Sequence, residues 1–193
     1  MSRIADFCLI ALTGVLLLTP SGRAQSSPKL NSLIVYGDGF ALGVKEPDGW
    51  HGDTDAIANK YHVNVVFSPV GGSGDKDVNV RVRVNKKVDE NTVEDLNYDM
   101  EGYKKDFPNV QFQDISVAHA EYKTFTKLVF IPNQFYEYVA YLNPGPGRPF
   151  VVSVAMSTHK TPATDEELKA YESVLKSLVW LSGPKFKVKS DPQ

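Results

Sequence analysis

Apolar and polar residues alternate with a period of two over much of this chain, the pattern of strands with one buried face. Phe40, Leu42 and Val44 alternate with Ala41, Gly43 and Lys45, and a Pro47-Asp48-Gly49 turn stops the run. His62 to Phe67 is β-branched and ends at Ser68-Pro69. Val78, Val80, Val82 and Val84 alternate strictly with Asn79, Arg81, Arg83 and Asn85. Further strands are expected at 110–119, 122–131, 135–142 and 150–157. The last two are joined by Asn143-Pro-Gly-Pro-Gly-Arg-Pro149, a loop too rich in Pro and Gly for regular structure.

The period changes to that of a helix in two places. Thr92-Val-Glu-Asp95 resembles a capping box, and Val93, Leu96, Met100, Tyr103 and Phe107 follow at helical spacing before Pro108. Thr164-Asp-Glu-Glu167 is a full capping box, and Leu168, Tyr171, Leu175 and Leu178 form an apolar stripe after it. A shorter helix is expected near 53–60. Strands and helices in this order predict an α+β fold built on an antiparallel sheet.

The N-terminus has a different character. Arg3 precedes an apolar stretch from Phe7 to Leu18, and Thr19-Pro20-Ser-Gly-Arg-Ala24 follows, which is the layout of a secretory signal peptide. Residues 1–24 are therefore expected to be removed and the remainder to be secreted or periplasmic. Removal would take Cys8, the only cysteine, and with it disulfides, thiolate metal sites and a cysteine nucleophile. Residues 25–32 are read as a lead-in, 33–182 as one α+β domain and 183–193 as a polar, basic tail. The chain has 193 residues and a net charge of −2, which excludes a strongly basic nucleic-acid binder. No second stretch reaches membrane-spanning length, so the processed chain is not expected to be an integral membrane protein.

Phe40-x-Leu42-x-Val44-x-x-Pro-x-Gly49-Trp50 resembles the opening signature of the PsbP-like superfamily. Phe150-Val-Val-Ser-Val-Ala155 and the closing Ser173-Val-Leu-Lys-Ser177-Leu-Val-Trp180 are similar to its distal half. The resemblance spans about residues 33 to 182. It implies an antiparallel sheet of six or seven strands with helices packed on both faces, an α/β/α sandwich. Its members include extrinsic subunits of the photosynthetic oxygen-evolving complex, a nuclear transport factor that binds a small GTPase, and small exported bacterial proteins. What they share is binding, assembly or no known activity, rather than a common reaction.

Candidate chemistry is sparse, and no catalytic residue is assigned. Of the four histidines, only His119 has a neighbour, Glu121, placed to act as a second metal ligand on one strand face; the plainer alternative is a polar pair at a strand junction. There is no Gly-x-Ser-x-Gly elbow. Gly71 to Asp77 lacks the Lys-Ser/Thr of a phosphate loop and leads into a strand, so no cofactor is expected.

The polar side of the 78–85 strand is the main candidate for binding. Asn79, Arg81, Arg83 and Asn85 share a face, and arginines two apart lie about 6.6 Å from each other, a spacing suited to a carboxylate, a phosphate or an acidic protein surface. The alternative is a face of cross-strand ion pairs. Trp50, at a turn, is either a lid over the core edge or an exposed contact. The aromatics Phe135, Tyr136, Tyr138, Tyr141, Phe150 and Trp180 are expected to pack in the core under a helix; the alternative is that they line a pocket. These readings predict a non-catalytic, monomeric binding module with a partner in the envelope or outside the cell. The alternatives are a small hydrolase with a non-contiguous site and a carrier of a small apolar ligand.

Overall fold

A computed structural model of the protein describes residues 32–72, 78–90 and 92–181. The expected signal peptide, nearly all of the lead-in, most of the Gly71–Asp77 loop and the basic tail lie outside the described residues.

The strands form two antiparallel sheets. The larger has seven strands in the order β3 (Trp50–Asp53), β4 (Val65–Pro69), β5 (Asn79–Lys86), β9 (Phe150–Thr158), β8 (Phe135–Asn143), β7 (Lys123–Ile131) and β6 (Gln111–Asp114). The smaller has three, in the order β1 (Ser32–Gly37), β2 (Phe40–Lys45) and β10 (Val179–Trp180). Three helices complete the fold: α1 (Ala56–Tyr61), α2 (Thr92–Asp106) and α3 (Asp165–Ser177).

The second sheet departs from the single sheet expected. β1 and β2 are joined by Asp38-Gly39, with Gly39 at φ +81°, a conformation open to glycine without a Cβ penalty. β2 thereby pairs with β1 and β10 instead of entering the large sheet. Leu42 and Val44 on its inner face still join the main core, and Leu33 of β1 fits against β3 because Gly52 has no side chain. A Cβ there would stand 2.5 Å from Leu33 Cδ1 of β1 and 2.9 Å from the Phe67 ring.

Two further boundaries differ for local reasons. His62 does not begin a strand; it closes α1 in the left-handed conformation, at φ 53°, while the Val63 N–H donates to Ala58 O. Ladder pairing of 110–119 stops at Asp114. Beyond it the carbonyls of Ile115 and Val117 accept the hydroxyls of Thr126 and Thr124 in place of backbone donors.

The capping box of α3 forms as expected, with the Glu167 N–H donating to Thr164 Oγ1 and the Thr164 N–H to Glu167 Oε2. At α2 the pattern works differently. Asp95 Oδ1 reaches back to accept the Val88 N–H at 2.9 Å. α1 is capped by Asp53, whose Oδ1 accepts the N–H groups of Asp55, Ile57 and Ala58.

Alternation along the strands sorts the apolar residues into two clusters. Val80, Val82, Val152, Val154, Met156, Tyr138 and Leu142 join Tyr171, Val174 and Leu175 of α3, and Leu42, Val44 and Trp180 of the small sheet. The intervening residues Val129, Val139, Tyr141 and Val151 join Leu96 and Met100 of α2. The aromatic run is thus shared between the two clusters rather than committed to one helix.

Candidate functional site

The four polar residues of β5 share the large-sheet face that carries Val66, Glu137, Val139 and Tyr141. On this face α1 lies against β3 and β4, and α2 against β7 and β8. The two central strands, β5 and β9, run between them. Their floor is Asn79, Arg81, Arg83 and Asn85 from β5 with Ser153, Ala155 and Ser157 from β9, and Tyr61 and Tyr103 stand at its sides.

The four β5 residues have different environments. Asn79 is buried, at 5% exposure, Arg81 and Asn85 are half-buried, and Arg83 is exposed. Sequence alone places them on one accessible face; the structure grades that face from closed at Asn79 to open at Arg83. The reason is a polar network centred on Glu137. Glu137 Oε1 accepts from Arg81 Nη2 and, at 2.8 Å, from the Ser157 hydroxyl, while Oε2 accepts from the Tyr103 hydroxyl. The Arg81 side chain is 21% exposed and that of Glu137 13%. Tyr61 lies over the same guanidinium, 5.5 Å from ring centroid to Cζ. Arg81 is therefore bound within the protein, in the cross-strand ion pair that was the alternative to ligand binding.

A second pair adjoins the first. The Tyr141 hydroxyl donates to Asp99 Oδ2 of α2. Burial raises the Asp99 carboxyl above its ordinary range; the Tyr141 bond and the charge of Arg83 oppose this, and Glu137 and Asp95 add to it. Burial also raises the Tyr103 and Tyr141 hydroxyls, with the neighbouring carboxylates adding to the effect. Both phenols are thus fixed as neutral donors. Nothing in Arg81, Glu137, Ser157 or Tyr103 had a signal in the sequence beyond the Arg81 position itself, because the four come from β5, β8, β9 and α2.

Trp50 is 8% exposed and belongs to the main core, so it acts as a lid rather than an exposed contact. His119 and Glu121 do not share a strand face, since residues 115–122 are not in a strand. His119 Nδ1 accepts the N–H groups of Glu121 and Tyr122 at 3.0 and 3.2 Å. Its Nε2 lies 3.0 Å from Leu178 O, which fixes the proton there. Both nitrogens are thereby engaged by backbone, leaving no lone pair for a metal, and the described residues contain no group of three metal-ligating side chains. Lys87 likewise turns inward: its ammonium is 3.2 Å from Gly145 O.

A separate open cleft of about 460 Å³ lies beside the β8–β9 loop. Glu90, Glu121, Tyr122, Lys123 and Asn143 line it with Pro144, Gly145 and Pro146. This mixed, open lining differs from the enclosed apolar cavity that a carrier of apolar ligands requires. Among the described residues no helix is long and apolar enough to cross a membrane. No family model matches the chain, and comparison with curated proteins found no match.

Proposed function

We propose that this chain is an exported, non-catalytic binding or assembly module of the PsbP-like kind, meeting a protein partner of the envelope or extracellular space through Arg83. In this reading α2 and α3 cover opposite faces of the seven-stranded sheet as an α/β/α sandwich. The alternation of the two core clusters along β8 and β9 supports that arrangement. Residues 1–24 act as the export signal, and the processed chain carries no cysteine.

One observation carries the binding reading: Arg83 is exposed, whereas the neighbouring Arg81 is paired with Glu137 and Asp99 is bonded by the Tyr141 hydroxyl. An exposed guanidinium at that position presents a planar fork of N–H donors, able to bond both oxygens of one carboxylate. Its natural complement is a carboxylate on an acidic protein surface. The test is affinity capture from an envelope extract with the processed chain and its Arg83→Glu variant side by side. Partners retained equally by both overturn the assignment to Arg83. Arg81 is unsuitable for this test because reversing it breaks the Glu137 pair.

A further inference from the structure

The small sheet has an edge of unusual composition. Among the described residues β1 pairs with β2 alone, so its other side presents backbone N–H and C=O groups along Ser32–Gly37. Soluble proteins blunt such edges with lysine, proline or bulges. β1 reads Ser-Leu-Ile-Val-Tyr-Gly and has none of these. Beside Ser32, its outward face carries two strongly exposed apolar residues, Ile34 at 61% and Tyr36 at 80%. Val179 of β10, 43% exposed, lies on the same face through Gly43.

In place of the monomer expected from the sequence, we propose that β1 is a self-association surface and that its occupant is β1 of a second copy, paired antiparallel about a two-fold axis at Val35. Pairing about Val35 sets Ile34 opposite Tyr36 of the other copy, and Tyr36 opposite its Ile34. These are the aromatic and β-branched cross-strand pairs that stabilise sheets. It also sets Leu33 opposite Gly37, which has no side chain to obstruct it.

Charge selects a second copy over an unrelated strand. β1 is followed by Asp38, and its other end lies beside Lys45, the partner of Ser32 in β2. Antiparallel pairing brings Asp38 of each copy next to Ser32 of the other, about 10 Å from the Lys45 backbone at two strand spacings. An extended lysine covers most of that distance. The acidic end of each strand thus meets the basic end of its mate, twice, and the apolar centre meets itself. The two small sheets join as one six-stranded sheet in an isologous contact. This surface lies on a different sheet from Arg83, and its occupation does not depend on any heterologous partner.

Sedimentation velocity over a concentration series tests it, using the chain purified as an exporting host processes it. Wild type is expected to shift from monomer toward dimer as concentration rises. Ile34→Lys with Tyr36→Lys, both at exposed positions, is expected to stay monomeric with an unchanged thermal midpoint. Asp38→Lys is expected to weaken association about tenfold, and Asp38→Lys with Lys45→Glu to restore it. A wild type that stays monomeric throughout overturns the proposal, and is also the result if the chain's own terminal residues or a copurified peptide occupy the edge. A dimer indifferent to Ile34→Lys with Tyr36→Lys, or a charge swap that fails to restore association, overturns it as well.

Discussion

Arg81 on β5 and Glu137 on β8 form an ion pair across the intervening strand β9, and Ser157 of β9 bonds to both. Three neighbouring strands are thereby clamped through one half-buried carboxylate. A charge pair of this kind is a weak stabiliser overall, yet losing one member leaves the other half-buried without its counter-charge. Arg81→Met is expected to destabilise the fold by about 3 kcal/mol, and Arg81→Met with Glu137→Leu by clearly less than the sum of the single variants. Urea unfolding of the four proteins checks this. Additive costs would show that the pair is not coupled.

Asp99 predicts a pH dependence. Its carboxyl is raised above the ordinary value of 3.8, first by burial. Between that value and the raised one the folded state therefore holds more of the proton than the unfolded chain, and this group makes stability fall as pH rises. Asp99→Asn keeps an oxygen to accept the Tyr141 hydroxyl and removes the titration. The variant is expected to gain stability relative to wild type as pH rises through that interval, measured by urea midpoints from about pH 3 to about pH 7. Parallel profiles would show that Asp99 has no such role.

His119 holds the 119–122 loop to the end of α3, and Tyr122 stacks on it at 4.7 Å while accepting the Trp180 N–H through its hydroxyl. His119→Phe keeps a ring for the stack and loses the three bonds. A cost of about 2 kcal/mol in chemical denaturation is expected. Added zinc is expected to leave the wild-type midpoint where it is. A zinc-dependent rise abolished by His119→Phe would instead make His119 a ligand.

Gly52 is the point at which β1 rests on β3. In Gly52→Ala the new methyl meets Leu33 Cδ1 and the Phe67 ring well inside contact distance. Overpacking of this kind is expected to cost about 2 kcal/mol. Leu33→Ala in the same chain is expected to recover part of that loss. No recovery would mean that the methyl is resisted by Phe67 alone.

Where period and punctuation agree in the sequence, the elements form as read. β5 follows the alternation of its four valines, and α3 follows its capping box and apolar stripe. β1, β3 and β10 had no such signal. They are six, four and two residues long and exist because partners far along the chain complete them. The small sheet was therefore hidden even though β2, its centre, was plain. The site followed the same rule. Arg81 and Arg83 stand out on an alternating strand, but a sequence cannot tell which of them meets an acid from β8. That distinction comes from the β5–β9–β8 order, and it leaves Arg83 as the exposed member.

The most direct test of the binding account is therefore quantitative capture of envelope proteins by wild type, Arg83→Lys and Arg83→Glu, each first shown to unfold at the same temperature. At least one partner is expected to be retained by wild type, reduced with lysine, which lacks the planar fork, and lost with glutamate. A partner held equally by all three, or no partner retained by wild type, would contradict the binding role of Arg83.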